Sequence, residues 1–215
     1  MGTLGLVDFR YEIPAYNLKP EKSYNTELGY KLVSKKSEVS AALFYMHLQD
    51  LISRVQLAGQ KVGEYNVYNK ENSTTSYIKG AEFSFNYQLL KSLSVKSGLA
   101  YTYGQTISQK EPMRRIPPLN GRIITSYKKS NWQFSAEALF AAKQDRLAKG
   151  DKEDNRIGVD GTAAWTNFNF FAAYKWKNLA IRTGLQNISD KEYHTHGSGI
   201  NAVGRSGWMS VHLNF

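Results

Sequence analysis

Apolar and polar residues alternate with a period of two along much of the chain. Ala81, Phe83, Phe85, Tyr87 and Leu89 interleave with Glu82, Ser84, Asn86 and Gln88. Beyond Lys91-Ser92, Leu93, Val95, Leu99, Tyr101 and Tyr103 interleave with Ser94, Lys96, Gly98 and Thr102. Trp132, Phe134, Ala136, Ala138 and Phe140 oppose Gln133, Ser135 and Glu137; Phe168, Phe170, Ala172, Tyr174 and Trp176 oppose Asn169 and Lys175; Leu179, Ile181, Thr183 and Leu185 oppose Arg182, Gly184 and Gln186. Successive side chains on a β-strand point to opposite faces, so each stretch predicts a strand with one apolar and one polar side. The apolar rows carry no charge. Earlier in the chain, Ser23 to Leu32 and a longer run from Val39 to about Val55 predict two more strands. Leu4 to Ile13, with Val7, Phe9, Tyr11 and Ile13 on one face, predicts a further strand ended by Pro14.

The last eleven residues, Arg205 to Phe215, close the series. Met209, Val211, Leu213 and Phe215 form one apolar row, with Trp208, Ser210, His212 and Asn214 on the other side. Connections between predicted strands alternate in length. Ser34 to Ser37, Lys91-Ser92, Lys128 to Asn131 and Lys177-Asn178 are short; Ala58 to Thr75, Thr106 to Pro118, Arg146 to Thr162 and Ser189 to Gly204 are long. A membrane barrel of up-and-down topology has short turns at one water boundary and long loops at the other, whereas Greek-key sandwiches have no reason to obey that alternation. Every short turn carries a lysine, and Tyr30, Tyr87, Tyr127, Trp132, Tyr174 and Trp176 sit near these turns, as amphipathic rings do at headgroup depth.

Composition narrows the partners. No segment approaches the roughly 18 to 20 apolar residues of a membrane helix, which excludes a helical membrane protein and leaves a barrel open. A net charge of +10 would ordinarily suggest nucleic acid, yet the lysines gather in turns and no surface of alternating basic and aromatic residues is visible, so no nucleic-acid partner is expected. The absence of cysteine removes disulfides and thiolate metal sites. No secretory signal precedes the first strand-like pattern, so the chain is expected to be part of a longer protein.

The ending resembles the C-terminal signature of bacterial outer-membrane barrels, in which Trp208, Met209, Val211, Leu213 and Phe215 would form the signal read by the outer-membrane assembly machinery. Four further stretches resemble TonB-dependent outer-membrane receptors. Leu18-Lys-Pro-Glu-Lys-Ser-Tyr-Asn-Thr-Glu-Leu-Gly-Tyr30 is similar to that family's "LKPE…E.G" approach to a strand, and Tyr77-Ile-Lys-Gly-Ala-Glu82 to its "Y..G.E" segment. Arg115-Ile-Pro-Pro-Leu-Asn120 is similar to its "IPP" motif, and Gln186-Asn-Ile-Ser-Asp-Lys-Glu-Tyr193 to its "N..D..Y" motif.

The resemblance implies an all-β, antiparallel, up-and-down transmembrane β-barrel, with residues 1–215 as a C-terminal part of about nine to ten strands from a barrel of about 22. The plug domain and the first half of the barrel would be missing. It also implies the outer membrane of a Gram-negative bacterium, contact with lipid and lipopolysaccharide, and a TonB complex acting through the absent N-terminal part. The implied function is active uptake of a ferric siderophore, haem or cobalamin, with no catalysis and no resident cofactor or metal; the chain alone is not expected to transport.

Candidate ligand contacts lie in the predicted extracellular loops: Arg114, Arg115, Arg146, Lys149, Arg156, His194, His196 and Arg205. Basic groups at a pore mouth would attract anionic chelates such as iron catecholates. If extended, His194-Thr-His196 puts both imidazoles on one face, but no third metal ligand is evident. Asp151, Glu153 and Asn155 imitate the start of a calcium loop, with Arg156 where the turn glycine belongs. Gly197-Ser-Gly199-Ile-Asn-Ala202 matches a dinucleotide fingerprint only as text. Asn72-Ser-Thr74 and Asn187-Ile-Ser189 match glycosylation acceptors, which carry no information in a bacterial setting. His47 and His212 stand isolated. Glu82, Lys96, Glu137 and Arg182 punctuate the polar rows, fitting an inner wall against a plug or a water-filled lumen.

Two other architectures remain open on the sequence. One is a complete ten-stranded outer-membrane barrel acting as a protease or lipid hydrolase, which requires Leu4 to Ile13 to pair with Arg205 to Phe215. The other is a soluble β-sandwich binding protein.

Overall fold

The period of two is realised as antiparallel strands joined largely in chain order. The structure, a computed structural model, describes residues 3–5 and 10–214. The strands are β1 (Thr3–Gly5), β2 (Arg10–Glu12), β3 (Lys22–Val33), β4 (Ser37–Val62), β5 (Tyr65–Leu90), β6 (Leu93–Thr106), β7 (Glu111–Pro112), β8 (Asn120–Lys129), β9 (Trp132–Ala141), β10 (Trp165–Trp176), β11 (Leu179–Gln186) and β12 (Ser206–Leu213), with one helical turn, α1 (Lys149–Lys152). All twelve belong to one sheet, in which β3 pairs with β4, β4 with β5, and the order then runs β5-β6-β8-β9-β10-β11-β12.

Register shows how the faces assemble. Tyr127 lies opposite Phe134, Phe134 opposite Ala172, Ala172 opposite Thr183 and Thr183 opposite Met209. One row further, Thr125, Ala136, Phe170 and Leu185 line up in the same way. The one charged residue of this face in β8 to β12 is Lys129, at the short-turn edge opposite Trp132, and the face is not packed away: Phe168 is 51% and Met209 72% exposed. Among the described residues the buried apolar set is Val67, Ala141, Leu147, Ala148 and Ile157, none of them aromatic. A soluble sandwich would bury its aromatic rows between two sheets. Here they form a contiguous exposed surface, of the kind that marks an interaction with lipid or another apolar partner. At the short-turn end of that face Trp132 meets Tyr174 at 4.5 Å between ring centroids and Phe134 at 5.6 Å, and Lys177 lies over Trp176.

The opposite face holds Lys96, Arg122, Glu137, Asn169 and Arg182. It also carries large apolar groups. Phe171 and Trp208 approach at 6.4 Å over Gly184, where a Cβ would stand 2.6 Å from the indole nitrogen, so the indole lies flat only because that side chain is absent.

By contacts the chain divides into two units. One comprises the described residues of Met1–Thr26, Tyr45–Ile78 and Gly104–Met113. It overturns two expectations. The expected long loop from Ala58 to Thr75 is instead the tip of the β4–β5 hairpin, closed by Gly63-Glu64, with Gly63 at φ 62° as a primed two-residue turn requires. Val62, Tyr65, Val67 and Tyr68 supply the β propensity that carries the strands outward. The expected strand from Leu4 to Ile13 is two short strands paired with each other, and Arg10–Glu12 runs parallel to Asn66–Tyr68 of β5, the one parallel pairing described. Val7 and Phe9 lie outside the described residues. Glu12 pairs with Arg54 at 3.0 Å and Lys70 at 3.1 Å, and Asn72 joins the Lys19 backbone to the Asp50 carbonyl.

The second unit comprises Glu27–Phe44, Lys79–Tyr103 and Arg114 onwards. Its short turns fall where expected. Each is tied to a neighbouring hairpin: Gln88 to Lys36, Lys128 to Ser92, Lys175 to Asn131, and Asn214 to Asn178, all backbone N–H to carbonyl. Ser130 and Lys177 take the left-handed φ these tight turns need. The complete ten-stranded barrel required β12 to pair with the N-terminal strand; among the described residues β12 pairs with β11 and β1 with β2.

Candidate functional site

Three loops of the second unit converge at the ends of β8 to β12. Each is shaped by a few polar side chains. In the last loop Asn187 adopts φ 48°, a left-handed conformation that asparagine tolerates, and its side chain is fully buried. Its amide donates to the carbonyls of Lys191 and Val203 and its oxygen accepts from Lys191 N–H, so one residue joins both ends of the loop. Its own N–H donates to Asn169 Oδ1 at 2.9 Å; Asn169 donates to Glu137 at 2.9 Å, and Glu137 lies 3.7 Å from Arg122. That chain of contacts crosses β8, β9 and β10 on the polar face and ends in the loop. Tyr193 stacks on Trp165 at 4.1 Å and its hydroxyl accepts from Asn167.

The loops after β6 and β9 meet through charge. Asp151, in α1, is 1% exposed and accepts from the Arg115 and Ala148 N–H groups, with Arg114 Nε at 3.6 Å. The Asp154 side chain is 6% exposed and takes Arg156 in a bidentate pair at 2.6 and 2.8 Å, Arg115 at 3.2 Å and Arg114 at 3.6 Å. Bonding to Arg156 first, and to Arg115, holds its carboxyl well below the usual carboxylate range and raises Arg156 in turn. Because the folded-state value is lowered, this contribution to loop stability is complete above about pH 4 and is lost only in strong acid.

The third loop sits against this cluster. Positions 197 and 199 are glycine where a Cβ would touch Arg115 and Arg156. His196 Nδ1 shares a hydrogen bond with Thr162 Oγ1 at 2.9 Å. Burial lowers the His196 pKa against the attraction of Asp151 and Asp154. Folding thus favours the neutral ring, a contribution complete above about pH 6.5 and lost as pH falls through the lower folded value. Acidification from about pH 7 to about pH 5 should raise amide hydrogen exchange at residues 193–198, corrected for intrinsic rates, and His196→Gln should flatten that dependence.

The structure therefore brings Arg114, Arg115, Arg156 and His196 together. Arg146 stands apart over the Tyr103 ring at 3.8 Å, and Arg205 lies at the loop base, where its N–H donates to Asp190. Residues 194–196 lie in a loop and not in a strand, and no group of metal-binding side chains is found among the described residues. Of the calcium-like pattern, Asp151 is taken up by Arg114 and the Arg115 N–H, so the pattern does not form a cation loop. His47 and His212 bond to Gln49 and Asn214 two residues on. Sequence reasoning missed Asp154, Arg122 and the Asn169–Asn187 relay; an asparagine directly after a strand, where a left-handed turn is needed, was the available sign of the last.

Beneath the loops is a cavity of about 970 Å³ on the polar face. Pro117, Pro118, Thr162, Trp165, Thr195 and His196 border it, and Glu82, Lys31 and Arg122 supply charge. A two-faced sheet, apolar on one side and opening on the other to a cavity overhung by long loops, can hold a solute between wall and loops while its other side meets an apolar medium.

Comparison with known proteins agrees with this geometry. No curated protein sequence matches the chain. Among solved structures it is similar to the copper transporter OprC (24% identity, 93% of this chain and 32% of that one, TM-score 0.76) and to the FrpB iron transporter from Neisseria meningitidis (16%, 96% and 33%, 0.74). It is also similar to the ferripyoverdine receptor of the outer membrane of Pseudomonas aeruginosa (15%, 92% and 28%, 0.70). The chain spans about a third of the length of these proteins. A family model described as "TonB dependent receptor-like, beta-barrel" matches residues 5–188, and the chain belongs to that family of TonB-dependent receptor barrels.

Proposed function

We propose that the chain is the C-terminal part of the barrel of an outer-membrane receptor that imports a scarce nutrient of the ferric siderophore, haem or cobalamin class. The observation that carries the reading is the pairing of an exposed apolar face, charged only at its short-turn edge, with a polar face whose cavity lies under an arginine-bearing loop cluster. Similar structures carry iron, copper or ferripyoverdine in their names, which supports a metal-bearing cargo. In this reading the apolar face meets outer-membrane lipid and the loop cations meet lipopolysaccharide or ligand. β12, with Met209, Val211 and Leu213 on the apolar face and Trp208 against Phe171, presents the assembly signal to the outer-membrane machinery; Phe215, its last member, lies outside the described residues. The plug, the remaining strands and the TonB contact belong to the rest of the parent protein, so the chain alone performs no uptake and no catalysis.

Arg114, Arg115 and Arg156 set three guanidinium groups against two carboxylates, leaving net positive charge beside the cavity mouth. Arg146, over the Tyr103 ring, and Arg205, at the base of the last loop, add further cations among the same loops, with His194 and His196 as additional candidate contacts. The test is tryptophan-fluorescence titration of the protein in neutral detergent micelles with a ferric tris-catecholate, haem and cobalamin. Saturable quenching by the anionic ferric chelate, weakened severalfold by Arg115→Ala, is expected. Equal, unsaturable responses to all three, unchanged in the variant, would overturn the reading.

A further inference from the structure

On the apolar face of the second unit, charge is confined to one edge. Lys129, the last residue of β8, stands opposite Trp132, and Trp132 stands opposite Tyr174. Lys177, in the next short turn, lies 5.7 Å from the centre of the Trp176 ring. Two ammonium groups, on strand ends two spacings or roughly 10 Å apart, thus flank three aromatic rings, of which Trp132 is 48% and Trp176 54% exposed. Neither lysine has a carboxylate partner among the described residues, and the indole N–H groups of Trp132 and Trp176 have no acceptor there. The neighbouring sequence supplies none. The last three short turns, with three residues on either side of each, hold Lys91, Lys128, Lys129, Lys175 and Lys177 and no Asp or Glu. The long loops of this unit mix signs instead, with Asp145, Asp151, Asp154 and Asp190 among their cations.

A lysine on a hydrocarbon-facing strand lays its stem along the apolar surface and carries its ammonium to the water boundary. Indole rings hold their N–H groups at the same depth. The patch therefore turns positive charge and unmatched donors toward a headgroup layer and offers no carboxylate in return, which suits a phosphodiester and repels an amine. We infer that the short-turn edge of the apolar face is a seat for the headgroup of an anionic phospholipid of the phosphatidylglycerol class. The inference rests on the proposal that this face meets lipid, and adds a preference among lipids to it. A zwitterionic headgroup brings an ammonium of its own to the same place and is bound less well. Free phosphate lacks the acyl chains that would lie along the adjoining apolar rows, and so is a weaker occupant.

Tryptophan quenching tests it, with Trp132 and Trp176 as reporters. The full chain is folded into phosphatidylcholine vesicles in which a fixed share of the lipid is replaced by phosphatidylglycerol or phosphatidylcholine brominated on the acyl chains. A severalfold preference for phosphatidylglycerol is expected at low ionic strength, falling to near parity in the combined Lys129→Gln and Lys177→Gln variant and unchanged by Lys152→Gln in the loop helix. Inorganic phosphate should not reduce the preference beyond a chloride control of equal ionic strength. Circular dichroism confirms that the variants keep the β spectrum. Equal quenching by the two brominated lipids, a preference that survives the double variant, or one that phosphate abolishes would overturn the seat and leave lipid contact standing. Quenching by neither lipid would overturn lipid contact itself, and the seat with it.

Discussion

Ala138→Lys should keep the protein out of a bilayer, whereas Leu139→Lys, one residue along the same strand, should not. Ala138 lies on the apolar face between Ile123 and Phe168 of the adjoining strands. Leu139 points the other way, into the cavity wall shared with Arg122 and Asn120. An ammonium group near the middle of the hydrocarbon costs about 2 to 4 kcal/mol, of the order of a large fraction of a domain's stability. The same group in a water-filled cavity should cost less than about 1 kcal/mol, with Glu137 on the same face to offset repulsion from Arg122. Urea titration of folding into lipid vesicles measures both. Equal tolerance of the two lysines would mean that the apolar rows do not face hydrocarbon.

The second large effect is expected from Asp151→Ala. The carboxylate is buried and accepts from two backbone N–H groups while facing Arg114. Its loss leaves those donors without partners and removes one of the two anions, with Asp154, that hold the loop before β8 to the loop after β9. Partial exposure of Arg114 lessens the charge penalty, so the expected cost is about 2 to 3 kcal/mol, felt locally as detachment of the two loops. Trypsin should then cleave after Arg114 and Arg115 at least tenfold faster than in the unsubstituted protein. Asp151→Asn, which keeps one acceptor oxygen, should fall between. The β-sheet spectrum should be unchanged in both, since the strands below are held by their own ladders.

The period-two strands from β6 onward were legible because each face meets a different medium, so every second residue is constrained. The short turns were equally plain, since Lys91-Ser92 and Lys177-Asn178 interrupt the alternation at a stroke. Where both faces of a strand are polar the signal fades. Gln60, Lys61, Asn66, Asn69 and Lys70 give the β4–β5 tip no apolar row, and a continued hairpin resembles a loop in sequence. The β propensity of Val62, Tyr65, Val67 and Tyr68, with a glycine between, was the remaining clue. The N-terminal strand pattern failed for a different reason: Arg10–Glu12 is placed by a parallel contact with β5, far along the chain, that no local periodicity encodes.

The candidate site was legible by charge and not by partner. Arg114, Arg115 and Arg156 stood out as loop cations, but their engagement depends on how two separate loops fold over each other. Asp151 looks in sequence like the first ligand of a cation loop and Asp154 gave no sign of its role; only the fold turns both toward arginines. Asn187 likewise resembles a glycosylation acceptor in text and is in fact the buried clasp of the last loop.

Ala172 and Ala173 offer the most direct test, because they are identical in size, adjacent in β10 and on opposite faces. The chain has no cysteine of its own, so Ala172→Cys and Ala173→Cys can each carry a single environment-sensitive fluorophore in protein folded into lipid vesicles. The probe at 172 should emit to the blue and be quenched by lipids brominated on their acyl chains, while the probe at 173 should be quenched by aqueous iodide. Probes that respond alike, or a probe at 172 open to iodide and untouched by brominated lipid, would contradict a wall with hydrocarbon on one side and water on the other.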